Sequence, residues 1–232
     1  LAAQGIHTDF IHLPEGNSRI NVKVKHGDET EINGQGPVIT EEAINELFAK
    51  LDTLTKEDIL VLAGSIPNTL PEDIYEKILA SLESKGIRVV VDATKDLLLN
   101  VLKYHPFLIK PNNHELGEMF GTVCKTDEDI VHYAKKLQEK GAVNVLISMA
   151  GDGAILITED GQNIKMGTPK GKVVNSVGAG DSMVAGFITG YIRGGNYEEA
   201  LKSGTAAGSA TAFSEGLASL EMYEKMLKQI TE

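Results

Sequence analysis

The sequence has little of what would mark a secreted, membrane-spanning or nucleic-acid-binding protein. Its 232 residues include a single cysteine, Cys124, and no tryptophan. One cysteine excludes an internal disulfide framework and fits a reducing compartment, so we expect a cytoplasmic protein. No run of about eighteen apolar residues occurs, which predicts no membrane span, and we expect no signal peptide.

Positive charge is scarce as well. The chain carries 22 Lys and Arg against 33 Asp and Glu, a formal net charge of -11. No basic tract offsets the repulsion from a phosphate backbone or an anionic lipid surface, so nucleic acid and membrane are excluded as main partners. Any anionic ligand must therefore be held by a few local groups.

Several familiar catalytic motifs are missing. There is no G-x-x-x-x-G-K-[ST] phosphate loop, which excludes a Walker-type ATPase. No G-x-S-x-G nucleophile elbow occurs either. Gly178 and Gly180 lack the third glycine of the dinucleotide fingerprint, because Met183 stands in its place. A nicotinamide dehydrogenase is therefore a weak alternative. None of the six histidines pairs with cysteine or carboxylates at metal-ligand spacing.

What is present is an alternation of apolar runs with helical segments. This order predicts an α/β fold with a doubly wound, mostly parallel sheet flanked by helices. In such sheets, ligands collect beyond the carboxyl ends of the strands. The predicted strands are Ile59–Ala63, Ile87–Asp92, Phe107–Ile109 and Val143–Ser148. The predicted helices run from an N-cap at Thr40 to about Asp52, from Pro71 to Gly86, from Lys95 to Lys103, and from an N-cap at Thr126 or Asp127 to Lys140.

The N-terminal part of the chain has a different pattern. Residues Ser18–Lys25 alternate apolar and polar, His26-Gly27-Asp28 supplies a turn, and Glu29–Asn33 is typical of a returning strand. We predict a β-hairpin lid segment over residues 1–36 and an α/β nucleotide-binding core over residues 37–232. The polar face of the hairpin either meets an anionic substrate or is simply solvated, and base rates favour the second alternative.

A glycine-rich loop precedes the most conspicuous helix. Val173 and Val174 predict the end of a short strand, and Gly178-Ala179-Gly180-Asp181 opens a helix. Several backbone N–H groups should point outward there and could hold an anion next to the Asp181 carboxylate. The plainer interpretation is a glycine turn with an ordinary Asp in the first helical turn.

Two further strand-end loops carry polar groups that suit phosphate chemistry. After Ile109, Lys110 can neutralise phosphate charge, while Asn112 and Glu115 have the spacing to hold a hydrated Mg²⁺ or to form a capping arrangement. After Val143–Ser148, the segment Ser148–Ala154 predicts either a hairpin turn or a loop that contacts a nucleotide.

Four segments, taken in chain order, resemble the PfkB branch of the ribokinase-like sugar kinases, and the resemblance covers essentially the whole chain. The segments are Arg19-Ile20-Asn21, Ala63–Pro67, Asn112–Glu115 and Asn175–Ser182. The resemblance implies the ribokinase-like sheet with a small β lid. Members of that family carry a further N-terminal segment with part of the sugar pocket, so the expected fold is N-terminally incomplete.

Within the family, Glu31–Pro37 looks most like the 1-phosphofructokinases, with tagatose-6-phosphate kinases as close relatives. The resemblance therefore implies transfer of a phosphoryl group from ATP to the C6 hydroxyl of fructose 1-phosphate, giving fructose 1,6-bisphosphate. Phosphorylation of tagatose 6-phosphate is the alternative within the class. A fragment that binds a nucleotide or a sugar phosphate without turnover is the alternative outside it.

The resemblance also implies a role for individual residues, and a possible homodimer formed through the β lid. The predicted catalytic residues are Asp181 as general base and Gly178, Ala179 and Gly180 as N–H donors to the transferring phosphoryl. The predicted ATP contacts are Lys110, Ser148, Gly151, Asp152, Gly153, Gly180 and Asp181. Mg²⁺ is assigned to Asn112 and Glu115, and the sugar phosphate to Arg19, Asn21 and Ser65.

Overall fold

The predicted alternation of strands and helices is present in the computed structural model, which describes residues 1–25 and 29–231. The predicted turn at His26-Gly27-Asp28 lies outside the described residues. The strands are β1 (Asn21–Lys25), β2 (Glu29–Asn33), β3 (Ile59–Ala63), β4 (Arg88–Asp92), β5 (Leu108–Ile109), β6 (Asn144–Ser148), β7 (Ala154–Ile157) and β8 (Asn163–Met166). The α-helices are α1 (Glu41–Asp52), α2 (Ile74–Leu82), α3 (Lys95–Val101), α4 (Asn113–Met119), α5 (Asp127–Glu139), α6 (Ala179–Gly194), α7 (Tyr197–Ala212) and α8 (Leu220–Thr231).

Six strands form one sheet in the order β3-β4-β5-β6-β7-β8. The pairs from β3 to β6 are parallel, and β6, β7 and β8 pair antiparallel. The mostly parallel sheet with flanking helices confirms the predicted fold class. β1 and β2 form a separate antiparallel hairpin in which Asn21 lies opposite Asn33.

The chain divides into two compact units. The first comprises Leu1–Asp58 and Ser65–Ile87, and so contains the hairpin with α1 and α2. The second comprises Ile59–Gly64 and the chain from Arg88 onwards, and contains the six-stranded sheet. The predicted boundary between a lid segment at 1–36 and a core at 37–232 stays a prediction.

The core of the second unit lies between the sheet and the pair of helices α6 and α7. Leu108, Leu146 and Leu156 from the strands pack with Phe187 of α6 and Leu201 of α7, and all five side chains are fully buried. Neighbouring strand residues point to the opposite face because side chains alternate along a strand. Helix α5 contacts β6 and β7, so the sheet is covered by helices as its apolar runs predicted.

Two apolar surfaces are less buried than the sequence suggested. β3 is an edge strand of the sheet, and its Val61 is 42% exposed, although a sheet flanked by helices predicts cover on both faces of such an apolar run. On the hairpin, Ile20, Val22, Val24 and Ile32 are exposed.

Two local predictions differ from the structure, and one strand was not predicted. The second helix begins at Ile74 rather than at Pro71, because residues 71–73 form a turn in which the Ile74 N–H donates to the Pro71 carbonyl (3.1 Å). The predicted strand at Val173 and Val174 is an exposed loop. The strand β8 was not predicted at all.

Helices α6 and α7 approach each other closely through glycines. A Cβ built on Gly186 would lie 2.6 Å from the Ser203 carbonyl oxygen, and one on Gly190 would lie 2.6 Å from the Glu199 carbonyl oxygen. Such distances leave no room for a side chain without moving a backbone. The glycine- and alanine-rich composition of α6 is therefore a packing requirement.

We expect Gly190→Ala to destabilise the protein by about 1–3 kcal/mol, because the cost of overpacking exceeds the gain in helix propensity. Urea unfolding followed by circular dichroism would measure the change. Gly167→Ala is the matched control, because a Cβ there would meet nothing within 4 Å. Equal stability of the two variants would contradict this account of the helix contact.

Candidate active site

The start of α6 is open to a ligand. Gly178 precedes the helix with φ 80°, a left-handed conformation that favours glycine, and in the part of the chain that the structure describes no side chain caps the helix. The Ala179 N–H donates to the Ser176 carbonyl (3.2 Å), a bond that an incoming anion would have to share. Asp181 lies exposed in the first helical turn. The structure thus places uncapped backbone N–H groups beside a solvent-facing carboxylate.

The end of α7 fixes the loop before α6. The N–H groups of Val174 and Asn175 both donate to the Ala212 carbonyl, at 2.8 and 3.1 Å, and the Asn175 side chain donates to the Glu215 carbonyl at 3.0 Å. The Asn175 side-chain oxygen in turn accepts from the Val177 N–H (3.2 Å). These bonds satisfy the loop without a strand ladder, which is why the predicted strand does not form.

Lys110 brings a buried positive charge to the same helix start. Its side chain is 8% exposed, and its Nζ lies 3.2 Å from Oδ1 of Asp92, whose side chain is 18% exposed. A Cβ built on Gly180 would be 3.1 Å from the same Nζ. The structure therefore brings Lys110 and Gly180 together, as expected of residues that would contact one phosphate group.

Asp92 belongs to this cluster although the sequence analysis gave it no role. Burial raises the pKa of its carboxyl above the usual range, and the charges of Asp181 and Glu115 add to the rise while the Lys110 ammonium opposes it. The sequence signal that could have indicated a role for Asp92 is its position at the end of a predicted buried strand. Lys110 could not be identified as its partner without knowing which strands are neighbours.

Asn112 and Glu115 form a capping box at the start of α4. The Asn112 side-chain oxygen accepts from the Glu115 N–H (2.8 Å), and Oε2 of Glu115 accepts from the Asn112 N–H (2.7 Å). The capping alternative is therefore present. Asn112 also forms an isolated parallel bridge with Ser148, which brings two predicted site segments together. Among the described residues, no group of three or more His, Cys, Asp or Glu could hold a metal ion.

The segment after β6 is a hairpin loop. β6 and β7 pair antiparallel with Ser148 opposite Ala154, and the Met149 N–H donates to the Gly153 carbonyl (2.8 Å). Gly153 has φ 92°, and a Cβ there would overlap the Met166 carbonyl oxygen, so only glycine fits. The hairpin interpretation is confirmed, while nucleotide contacts of Gly151 and Asp152 stay a prediction.

The residues predicted to bind the sugar phosphate belong to the first unit. Nη1 of Arg19 donates to the Ser65 hydroxyl oxygen at 3.1 Å, so these two residues meet although 46 positions separate them. The backbone at Gly36 comes close to Arg19: a Cβ built on Gly36 would lie 3.4 Å from the Cβ of Arg19. Asn21 begins β1 two residues later.

The doubly wound sheet thus brings a buried lysine next to a helix start that carries a carboxylate. The model of the pfkB family of carbohydrate kinases matches residues 1–222, and the chain belongs to that family of phosphotransferases with an alcohol acceptor. This confirms the resemblance inferred from the four motifs.

Two relatives show where in the family the chain lies. A 1-phosphofructokinase of Bacillus subtilis (strain 168) is 49% identical over 230 residues, which cover 99% of this chain and 75% of the relative. A D-tagatose-1-phosphate kinase of Bacillus licheniformis is 37% identical over 231 residues, which cover 99% of this chain and 75% of that relative. These similarities support a sugar-phosphate kinase.

Solved structures confirm the fold. A Staphylococcus aureus structure described as a phosphofructokinase superposes with a TM-score of 0.88 at 44% identity, covering 98% of this chain and 74% of that one. Ribokinase of Arabidopsis thaliana shares the fold with a TM-score of 0.73 at 22% identity, covering 94% of this chain and 73% of that one. Within the described residues, no helix is both long enough and apolar enough to cross a bilayer.

Proposed function

We propose that the protein transfers the γ-phosphoryl group of ATP to the C6 hydroxyl of fructose 1-phosphate, giving fructose 1,6-bisphosphate. The observation that carries the proposal is the buried Lys110 ammonium beside Gly180, at a helix start that also carries Asp181. The 1-phosphofructokinase of Bacillus subtilis, at 49% identity, supports the choice of acceptor.

Asp181 acts as the general base in this mechanism. Its carboxylate takes the proton from the C6 hydroxyl as the oxygen attacks the γ-phosphorus and the bond to ADP breaks. The N–H groups of Gly178, Ala179 and Gly180 donate to the oxygens of the transferring phosphoryl group. Stabilising the charge on these oxygens supplies most of the rate enhancement in such enzymes. The exposure of Asp181 suits a group that must meet a hydroxyl of a bound sugar.

The remaining phosphates of ATP need local positive charge and N–H donors, because the chain as a whole is strongly acidic. Lys110 supplies the charge. Groups of the β6–β7 loop supply polar contacts to the phosphates and ribose, and they are Ser148, Gly151, Asp152 and Gly153.

Asn112 and Glu115 are the residues that would hold Mg²⁺. The donor chemistry fits, because Mg²⁺ prefers oxygen ligands and keeps several waters, so one carboxylate and one amide can hold it through water. Both side chains also serve the capping box, which fixes their orientation. The ion would neutralise phosphate charge when bound.

Arg19, with Ser65 beside it, binds the 1-phosphate of the sugar, and Asn21 contacts the sugar itself. A guanidinium suits this task because its paired donors match the oxygens of a phosphate. The 3.1 Å contact between Arg19 and Ser65 supports a shared role. The exposed apolar side chains of the hairpin support a homodimer formed through the lid.

Tagatose 1-phosphate is the second candidate acceptor. The Bacillus licheniformis relative is named for that sugar, which carries its phosphate at C1, as fructose 1-phosphate does. This differs from tagatose 6-phosphate, the alternative predicted from the sequence. A preference for C1-phosphorylated ketohexoses would accommodate both candidates.

A coupled ATP assay would test the acceptor by comparing four sugar phosphates: fructose 1-phosphate, tagatose 1-phosphate, fructose 6-phosphate and tagatose 6-phosphate. We expect kcat/KM to be highest for fructose 1-phosphate. A higher value for tagatose 1-phosphate would reassign the substrate, and nucleotide binding without turnover of any sugar would favour the non-catalytic alternative.

Asp181→Asn should lower kcat by about 10²–10⁴-fold and leave ATP affinity nearly unchanged, because a general base acts in the transition state. Steady-state kinetics and a binding titration would measure the two effects separately. Asp127→Asn, in the first turn of α5, is the matched control. Wild-type turnover by Asp181→Asn would remove this residue from the mechanism.

Arg19→Ala should raise KM for fructose 1-phosphate far more than KM for ATP, because the guanidinium binds the phosphate already on the sugar. The two KM values would be compared with those of Arg193→Ala, which removes an exposed arginine from the last turn of α6. Equal handling of unphosphorylated fructose by Arg19→Ala and the wild type is also expected. An unchanged KM for fructose 1-phosphate would contradict the assignment.

A further inference from the structure

We propose that Asp92 is a positioning residue for Lys110, holding the ammonium group beside the start of α6 where it meets the phosphates of the nucleotide. The inference rests on the proposed function and adds to it a residue to which the sequence analysis gave no role. Asp92 is not placed against the substrate. It acts through Lys110.

The register of the sheet places the two residues side by side. β4 and β5 are parallel, with Val90 opposite Leu108 and Val91 opposite Ile109, so Asp92 follows in line with Lys110. On its other side, the Asp92 carbonyl accepts a hydrogen bond from the Gly64 N–H (3.1 Å). The carboxylate therefore projects from a backbone that is held on both sides.

The burial of Lys110 requires a partner of opposite charge. A buried ammonium is costly unless it is paired, and the Lys110 Nζ lies 3.2 Å from Oδ1 of Asp92. The two other carboxylates that influence Asp92 are less suited to this role. Glu115 uses one oxygen to bond the Asn112 N–H, and Asp181 is exposed.

The Lys110 ammonium lies beside Gly180, and it needs Asp92 to keep it oriented towards the start of α6. The N-terminus of α6 carries partial positive charge, which repels a cation placed against it. A lysine has a flexible four-carbon stem, so without Asp92 the ammonium would turn away from the helix start. Asp92 thus sets the direction of the Lys110 charge, while Lys110 supplies the charge itself.

Asp92→Asn, which keeps the shape and removes the charge, is the direct test. We expect kcat to fall about 10- to 100-fold, the usual loss when a group that orients another is removed. Nucleotide affinity should weaken less than in Lys110→Met, because the loss of the oriented ammonium is partly offset by the removal of a negative charge near the phosphates. Steady-state kinetics and a titration with a fluorescent ATP analogue would separate the two effects.

Three further variants distinguish positioning from a merely structural role. Asp92→Glu should recover part of kcat. Lys110→Met should lower kcat and also weaken nucleotide binding, and Asp92→Asn should cause no further loss when added to it. The control is Asp127→Asn, because the Asp127–Lys165 ion pair is half exposed and should not affect kcat. Thermal unfolding would show that each variant is folded.

Wild-type kcat in Asp92→Asn would overturn the inference, and so would additive losses in the double variant. Wild-type kinetics in Lys110→Met would overturn it too while leaving the kinase proposal standing, because Asp92 would have nothing to position. A wild-type chain that turns over neither 1-phosphate would overturn both proposals.

Discussion

The close contact between α6 and α7 is the constraint on which the arrangement of the site depends. Gly186 and Gly190 let the helices approach to a distance that any side chain would prevent, and α7 in turn holds the loop before α6 through the Ala212 carbonyl. Because both helices also cover the sheet, the start of α6 comes next to Lys110 at the end of β5. A change in helix packing would therefore move the proposed phosphate site.

Charge is the second constraint on this site. The chain is strongly acidic, and the charges of Glu115 and Asp181 act on Asp92, which is paired with Lys110. Burial strengthens the interaction between Lys110 and Asp92, because water screens it less. In the proposed mechanism, Lys110 and the N–H groups at the start of α6 are the local groups that would hold an anion in this acidic chain.

Features that depend on neighbouring residues were predictable from the sequence. Thr40 caps α1 as expected, and Thr126, one of the two candidates beside Asp127, caps α5; each side-chain oxygen accepts from the N–H group three residues later. The start of α2 was misplaced because Pro71 suits either a helix or a turn. The strand expected at Val173 does not form, since its N–H partners come from the far end of α7.

The sequence by itself determined the order of strands and helices, the capped helix starts and the family motifs, because these follow from periodicity and from contacts a few residues apart. Only the tertiary structure decided that Lys110 is buried, that Asp92 is its partner and that Arg19 meets Ser65. The reason is physical. Parallel strand pairing joins distant segments, and burial depends on neighbours that the local sequence does not contain.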